Sequence, residues 1–105
     1  MPFTQFFPRT FDAPAIRTYA PNASGVYGIS NSNEWVYIGE SDDIQSSLLS
    51  HLQERGTAIM NRRPTGFVFE VCDRDKRLSR QGRLVSEYGP RCNGPSQTGR
   101  TSRYV

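Results

Sequence analysis

The sequence predicts one mixed α/β domain of the α+β kind, a small three-stranded antiparallel sheet flanked by helices. Three observations carry that expectation. Two runs rich in β-branched and aromatic residues, Gly25-Val26-Tyr27-Gly28-Ile29-Ser30 and Trp35-Val36-Tyr37-Ile38-Gly39, are separated by the turn residues Asn31-Ser32-Asn33. A third such run, Gly66-Phe67-Val68-Phe69-Glu70-Val71-Cys72, follows later. Between and after these stand two segments whose apolar residues recur at helical spacing. A chain of 105 residues and 11.9 kDa suits a single core. Hydrophobic residues are only 35% and the mean hydropathy is -0.63, but Trp35, five Tyr and six Phe each bury a large apolar area.

Taken in order, residues 1–20 carry Pro2, Pro8 and Pro14 with Phe3, Phe6, Phe7 and Phe11 between them. Prolines at this spacing exclude a long helix and predict an extended arm. Its aromatic rings would pack along the domain or, left exposed, offer a surface to a protein partner. The domain proper is expected over residues 21–93. Its hairpin is followed by Ser41-Asp42-Asp43, short oxygen-bearing side chains that cap free amides, with Gln45 three residues after Asp42. A helix is predicted from Asp42 to Arg55, with Ile44, Leu48, Leu49 and Leu52 forming its apolar stripe and Gly56 ending it. Thr57 to Pro64 reads as a loop with one helical turn at most and Arg62-Arg63 at its tip. A second helix is predicted from Asp75 to Tyr88, with Leu78, Leu84, Val85 and Tyr88 inward and Gly89-Pro90 as its stop. Residues 94–105 have the composition of a flexible basic tail, with Arg100 and Arg103 near its end.

The formal net charge is +3 and the sequence pI about 9.2, and twelve of the thirteen basic residues are Arg. A guanidinium binds phosphate with two parallel bonds, so this bias favours a polyanionic partner, although genome composition produces the same bias. Cys72 and Cys92 form no pair of closely spaced ligands and His51 is distant from both in sequence, which excludes a zinc knuckle. No apolar stretch reaches membrane-spanning length and no leader pattern opens the chain, so a cytoplasmic protein with reduced thiols and no membrane partner is expected.

The runs Gly25-Val26-Tyr27 and Tyr37-Ile38-Gly39-Glu40-Ser41 are followed by His51, fourteen residues after Tyr37. The later predicted helix then runs into Tyr88-Gly89-Pro90-Arg91-Cys92-Asn93. Together these segments resemble the GIY-YIG nuclease family over residues 21–93. The resemblance implies a three-stranded antiparallel sheet with flanking helices that cleaves DNA with one divalent metal. It implies that Tyr27 and Tyr37 align or deprotonate the attacking water and contact the phosphate, that His51 assists them, and that Gly25, Gly39 and Asn93 are structural. Phosphodiester cleavage also needs positive charge on the phosphoryl oxygens. The family supplies that charge with an arginine one helical turn before the histidine position and with a metal held by a glutamate on the later helix. Those positions fall here on Ser47 and Gln81. An amide in place of a carboxylate keeps the shape but not the charge that holds a hard cation. Loss of one preorganised charge costs about 10²–10³ in rate.

Simpler readings stand beside these. Tyrosines on strands often serve as core, His51 near a helix end can complement the helix dipole, and the Gln81 amide can hydrogen-bond Tyr27 or Tyr37. The arginines at 77, 80 and 83 form either a solvated face paired with Asp73 and Asp75 or part of a basic rim. The candidate nucleic-acid-binding set is Arg55, Arg62, Arg63, Arg77, Arg80 and Arg91, which would grip phosphates without reading bases. The sequence therefore leads to a nuclease-fold module that binds nucleic acid or a protein without metal-dependent cleavage and without a cofactor. The alternative is an atypical endonuclease using magnesium or manganese, with an arginine of the 62–63 loop or of a second subunit replacing the missing charge.

Overall fold

The two runs flanking Asn31-Ser32-Asn33 form the expected hairpin in the computed structural model, which describes residue 3, residues 8–54 and residues 56–93. Asn31 makes the turn: its Oδ1 accepts from the amides of Asn33 and Glu34 at 2.8 and 2.9 Å, a side chain standing in for a backbone turn bond. The elements in chain order are β1 (Arg9–Thr10), α1 (Ala13–Tyr19), β2 (Gly25–Ser30), β3 (Trp35–Ser41), α2 (Ile44–Gln53), α3 (Ala58–Asn61), β4 (Gly66–Val71) and α4 (Arg74–Tyr88). The sheet is antiparallel in the order β1-β4-β2-β3, with the two-residue β1 adding a fourth strand to the three expected.

Strand β2 lies between β3 and β4 and every one of its residues is buried. Its neighbours in sequence serve different cores, as the period of two along a strand requires. Tyr27 and Ile29 join Phe67 of β4 with Phe11, Ile16, Ile44 and Leu48, the core under α1 and α2. Val26 joins Ile38, Val68, Phe3 and Leu84, the core under α4. Strand β3 breaks this alternation once. Ile29 pairs with Tyr37 while Ser30 pairs with Trp35, so Val36 is an extra residue in a bulge. Val36 and Tyr37 thereby pack on the same core. The bulge sets the phase that brings Tyr37 to the α2 side.

Three expectations are corrected. Residues 1–20 are not an extended arm throughout. Asp12 Oδ1 caps Ala15 N at 2.9 Å and Pro14 stands in the first turn, where its missing N–H is harmless, so the short helix α1 forms. Phe3 and Phe11 are buried, as anticipated, while Phe6 and Phe7 lie outside the described residues. Helix α2 begins later than predicted, because Asp43 rather than Asp42 is the cap and accepts from Ser46 N at 3.1 Å. Leu78 is not inward but 68% exposed. The inward line at that turn of α4 belongs to Arg77, whose side chain is 12% exposed. Adjacent helix positions diverge by about 100°, so Leu78 is turned outward.

Candidate functional site

Tyr27 on β2 and Tyr37 on β3 meet His51 of α2. Tyr27 Oη lies 2.8 Å from His51 Nε2, and the ring centroids are 6.2 Å apart for the two tyrosines, 5.7 Å for Tyr27 and His51, and 5.3 Å for Tyr37 and His51. The cluster depends on Gly39, which pairs with Tyr27 across the hairpin. A Cβ there would stand 2.5 Å from Cζ and Oη of Tyr27 and 2.8 Å from Cε2 of Tyr37, so the ring of Tyr27 lies where a side chain would be. Gly25 meets a similar limit, since a Cβ would run into the Glu70 carbonyl oxygen and Ile44 Cδ1.

Burial pushes the Tyr27 phenol well above its ordinary range, and the negative charge that Tyr37, Glu40 and Glu54 carry when ionised adds to the shift. Burial also pushes the His51 imidazole down, against a smaller opposing pull from Glu54. Both groups are therefore neutral at pH 7. They share one hydrogen bond in which a neutral imidazole nitrogen faces a phenol, and that nitrogen can serve as proton acceptor in one tautomer.

The two positions where charge is expected are engaged in structure. Ser47 Oγ lies 2.6 Å from Ser41 Oγ, which also accepts from Asp43 N at 2.9 Å, so Ser47 ties the first turns of α2 to the end of β3. Gln81 Nε2 donates to the carbonyl of Ile38 at 3.0 Å, not to either tyrosine as anticipated. Asn93 Nδ2 donates to the same carbonyl at 2.9 Å, and Asn93 Oδ1 accepts from Ile38 N at 2.8 Å. With Arg91 N on Trp35 O and Cys92 N on Val36 O, the segment after α4 lies along the outer edge of β3 and serves in place of another strand.

The arginines divide into two groups. Arg77 bonds Glu40 and Asp42 at 2.5 Å each and Ser24 Oγ at 3.0 Å. Arg80 grips Glu70 with two bonds of 2.8 Å, the planar fork matching the carboxylate. Their partners are thus strand and loop carboxylates, not Asp73 and Asp75. At the hairpin end, Arg62 and Arg91 share one carboxylate, Glu34, at 3.3 and 3.4 Å, and Arg63 is exposed. Arg55 lies outside the described residues. Glu34 escaped the reading of the sequence, because nothing local marks a carboxylate that two distant arginines approach. Ser41, one of the capping side chains expected after the hairpin, does accept from an amide, that of Asp43.

Tyr27, Tyr37, His51 and Gln81 offer no carboxylate, and among the described residues no three His, Cys, Asp or Glu side chains come together. This donor set does not fit a hard divalent cation, which takes oxygen ligands rich in carboxylate. No helix among the described residues is long and apolar enough to cross a membrane.

The antiparallel sheet, the paired motif tyrosines and the helix delivering His51 define a fold of the GIY-YIG endonuclease type. The chain is similar to the GIY-YIG N-terminal endonuclease domain of UvrC from Thermotoga maritima bound to magnesium, with a TM-score of 0.61 and 22% identity. That likeness covers 71% of this chain and 91% of that one. A tyrosine-to-phenylalanine point mutant of the same domain, bound to its catalytic divalent cation, matches with a TM-score of 0.60 and 22% identity over 71% of this chain and 90% of that one. No family model and no curated protein matches the sequence.

Proposed function

We infer that this domain is a nuclease-fold module that binds nucleic acid without cutting it by a metal-dependent route. One observation supports the reading above others: Ser47 and Gln81, at the positions where cleavage requires a guanidinium and a carboxylate, are uncharged and engaged with Ser41 and the Ile38 carbonyl. A cleaving centre must place charge on the phosphoryl oxygens in the transition state, and neither residue supplies any. The cluster of Tyr27, Tyr37 and His51 keeps hydrogen-bonding groups at the site, and the exposed arginines supply attraction for phosphate. The solved neighbours are endonuclease domains, which makes nucleic acid the natural partner class. We place the protein in the cytoplasm, where Cys72 and Cys92, packed against different cores, stay as free thiols.

The test pairs cleavage with binding. Purified protein is incubated with supercoiled and branched DNA in magnesium or manganese, and association with labelled DNA and RNA is followed across a salt series. Binding that weakens with salt, without nicking, is the expected result. Nicking that Tyr27→Phe abolishes would overturn the reading. The intact bond between Tyr27 and a neutral His51 favours one second reading, an atypical endonuclease in which His51 accepts a proton and charge comes from elsewhere. It predicts cleavage lost in both Tyr27→Phe and His51→Ala.

A further inference from the structure

We propose that the phosphate-gripping surface of this domain is its hairpin end, built by Arg62, Arg63 and Arg91 around Glu34, and that the α4 arginines Arg77 and Arg80 take no part in it. The proposal rests on the nucleic-acid-binding reading above and says where on the fold the backbone lies.

Arg77 and Arg80 are equipped for another task. Their side chains are 12% and 16% exposed, and their donors point to Glu40, Asp42, Ser24 and Glu70. A phosphate reaching them would have to displace bound carboxylates from a partly desolvated site. The hairpin end is the opposite case. Two guanidiniums share a single carboxylate, and Arg63, exposed and next to Arg62 in the chain, adds a third positive charge to the same loop. Arg62 and Arg91 remain 41% and 57% exposed although each touches Glu34. Arg63 makes no ion pair among the described residues.

The surface is also preorganised. Asn31 Nδ2 donates to Glu34 Oε2 at 3.3 Å and to the Arg62 carbonyl at 2.8 Å, so the hairpin turn holds both the shared carboxylate and the arginine loop. Arg91 is fixed by its own amide on Trp35 O at 3.0 Å. Arg63, just before Pro64, has a φ of 54°, a left-handed backbone that a residue with a Cβ adopts at a cost. Strain of that kind at an exposed arginine accords with a functional demand, since a glycine would suit the conformation better. Ile59 and Met60 of α3, which precedes Arg62, and Cys92, which follows Arg91, pack against the core that Tyr27 belongs to and Tyr37 borders.

The experiment measures the anisotropy of labelled single-stranded and duplex DNA and RNA across a salt series. It compares the wild type with Arg63→Gly, with the triple variant Arg62→Ala/Arg63→Ala/Arg91→Ala, and with Arg17→Ala on exposed α1 as the control. For duplex DNA, Arg63→Gly should reduce the slope of log affinity against log salt by about one, and the triple variant by about two to three. Arg63→Gly should not lower the melting temperature, because it removes charge and backbone strain together. Arg17→Ala should leave the slope unchanged. A wild type that binds with slopes unaltered in both patch variants would overturn the hairpin-end surface and leave the binding reading standing. Equal losses in Arg17→Ala would also overturn it. Absence of salt-sensitive binding to every probe would remove the binding reading itself.

Discussion

Gly39 shows most directly how one position governs the site. Its missing Cβ is the space in which the Tyr27 ring lies, with Cζ and Oη 2.5 Å from where that atom would be. Gly39→Ala should therefore displace Tyr27 from His51 and destabilise the domain by about 1–3 kcal/mol, measured by urea unfolding. His51 gives a second prediction at this scale. Burial holds its folded pKa below the unfolded value of about 6.5, so the unfolded chain takes up the proton first as pH falls. Stability from this group is present above about pH 6.5 and is lost as pH drops toward the lower folded value. Urea melts at several pH values should show that loss in the wild type and a flatter profile in His51→Gln. The sequence announced Tyr27, Tyr37, His51 and Gly39 through motif and spacing. It did not announce Glu34, whose role comes from Arg62 and Arg91, distant in the chain.

At the scale of elements, the edge of β3 is what α4 and the segment after it protect. Ile38 is held through both its amide and its carbonyl by Asn93 and through its carbonyl by Gln81. An ionised Gln81→Glu side chain cannot donate, and it would set negative charge against that carbonyl oxygen. The substitution should cost about 1–3 kcal/mol at pH 7. The introduced carboxyl would have a folded pKa above the unfolded value of about 4.3, so the lost stability should return as pH falls through that folded pKa. That trend is opposite in sign to the contribution of His51, which makes the two separable in a pH series on the single and double variants. The periodicity of α4 was legible from Leu84, Val85 and Tyr88, whereas Leu78 was not. Helical spacing names a face, but the exposure of its first turns depends on Arg77 finding Glu40 and Asp42.

Across the whole molecule, α4 is fastened to the sheet by an apolar core and by charge. Leu84 fills the core with Val26, Ile38, Val68 and Phe3, while Arg80 and Glu70 close a two-pronged pair whose side chains are 16% and 21% exposed. A double-mutant cycle on Arg80→Ala and Glu70→Ala should return a coupling of about 1 kcal/mol that shrinks in salt, since partial exposure discounts the pair. By itself the sequence determined the hairpin, the main helices and the alignment of Tyr27, Tyr37 and His51, because turn chemistry, periodicity and fixed spacing act over a few residues or within one motif. Only the tertiary structure decided that the helix of residues 13–19 packs against α2, that Gln81 holds a strand edge rather than a tyrosine, and which arginines are neutralised. Those outcomes turn on which charged and polar groups come within a few ångströms of each other. Arg77 and Glu40 are 37 residues apart in the chain and 2.5 Å apart in the fold, a proximity that no local pattern encodes.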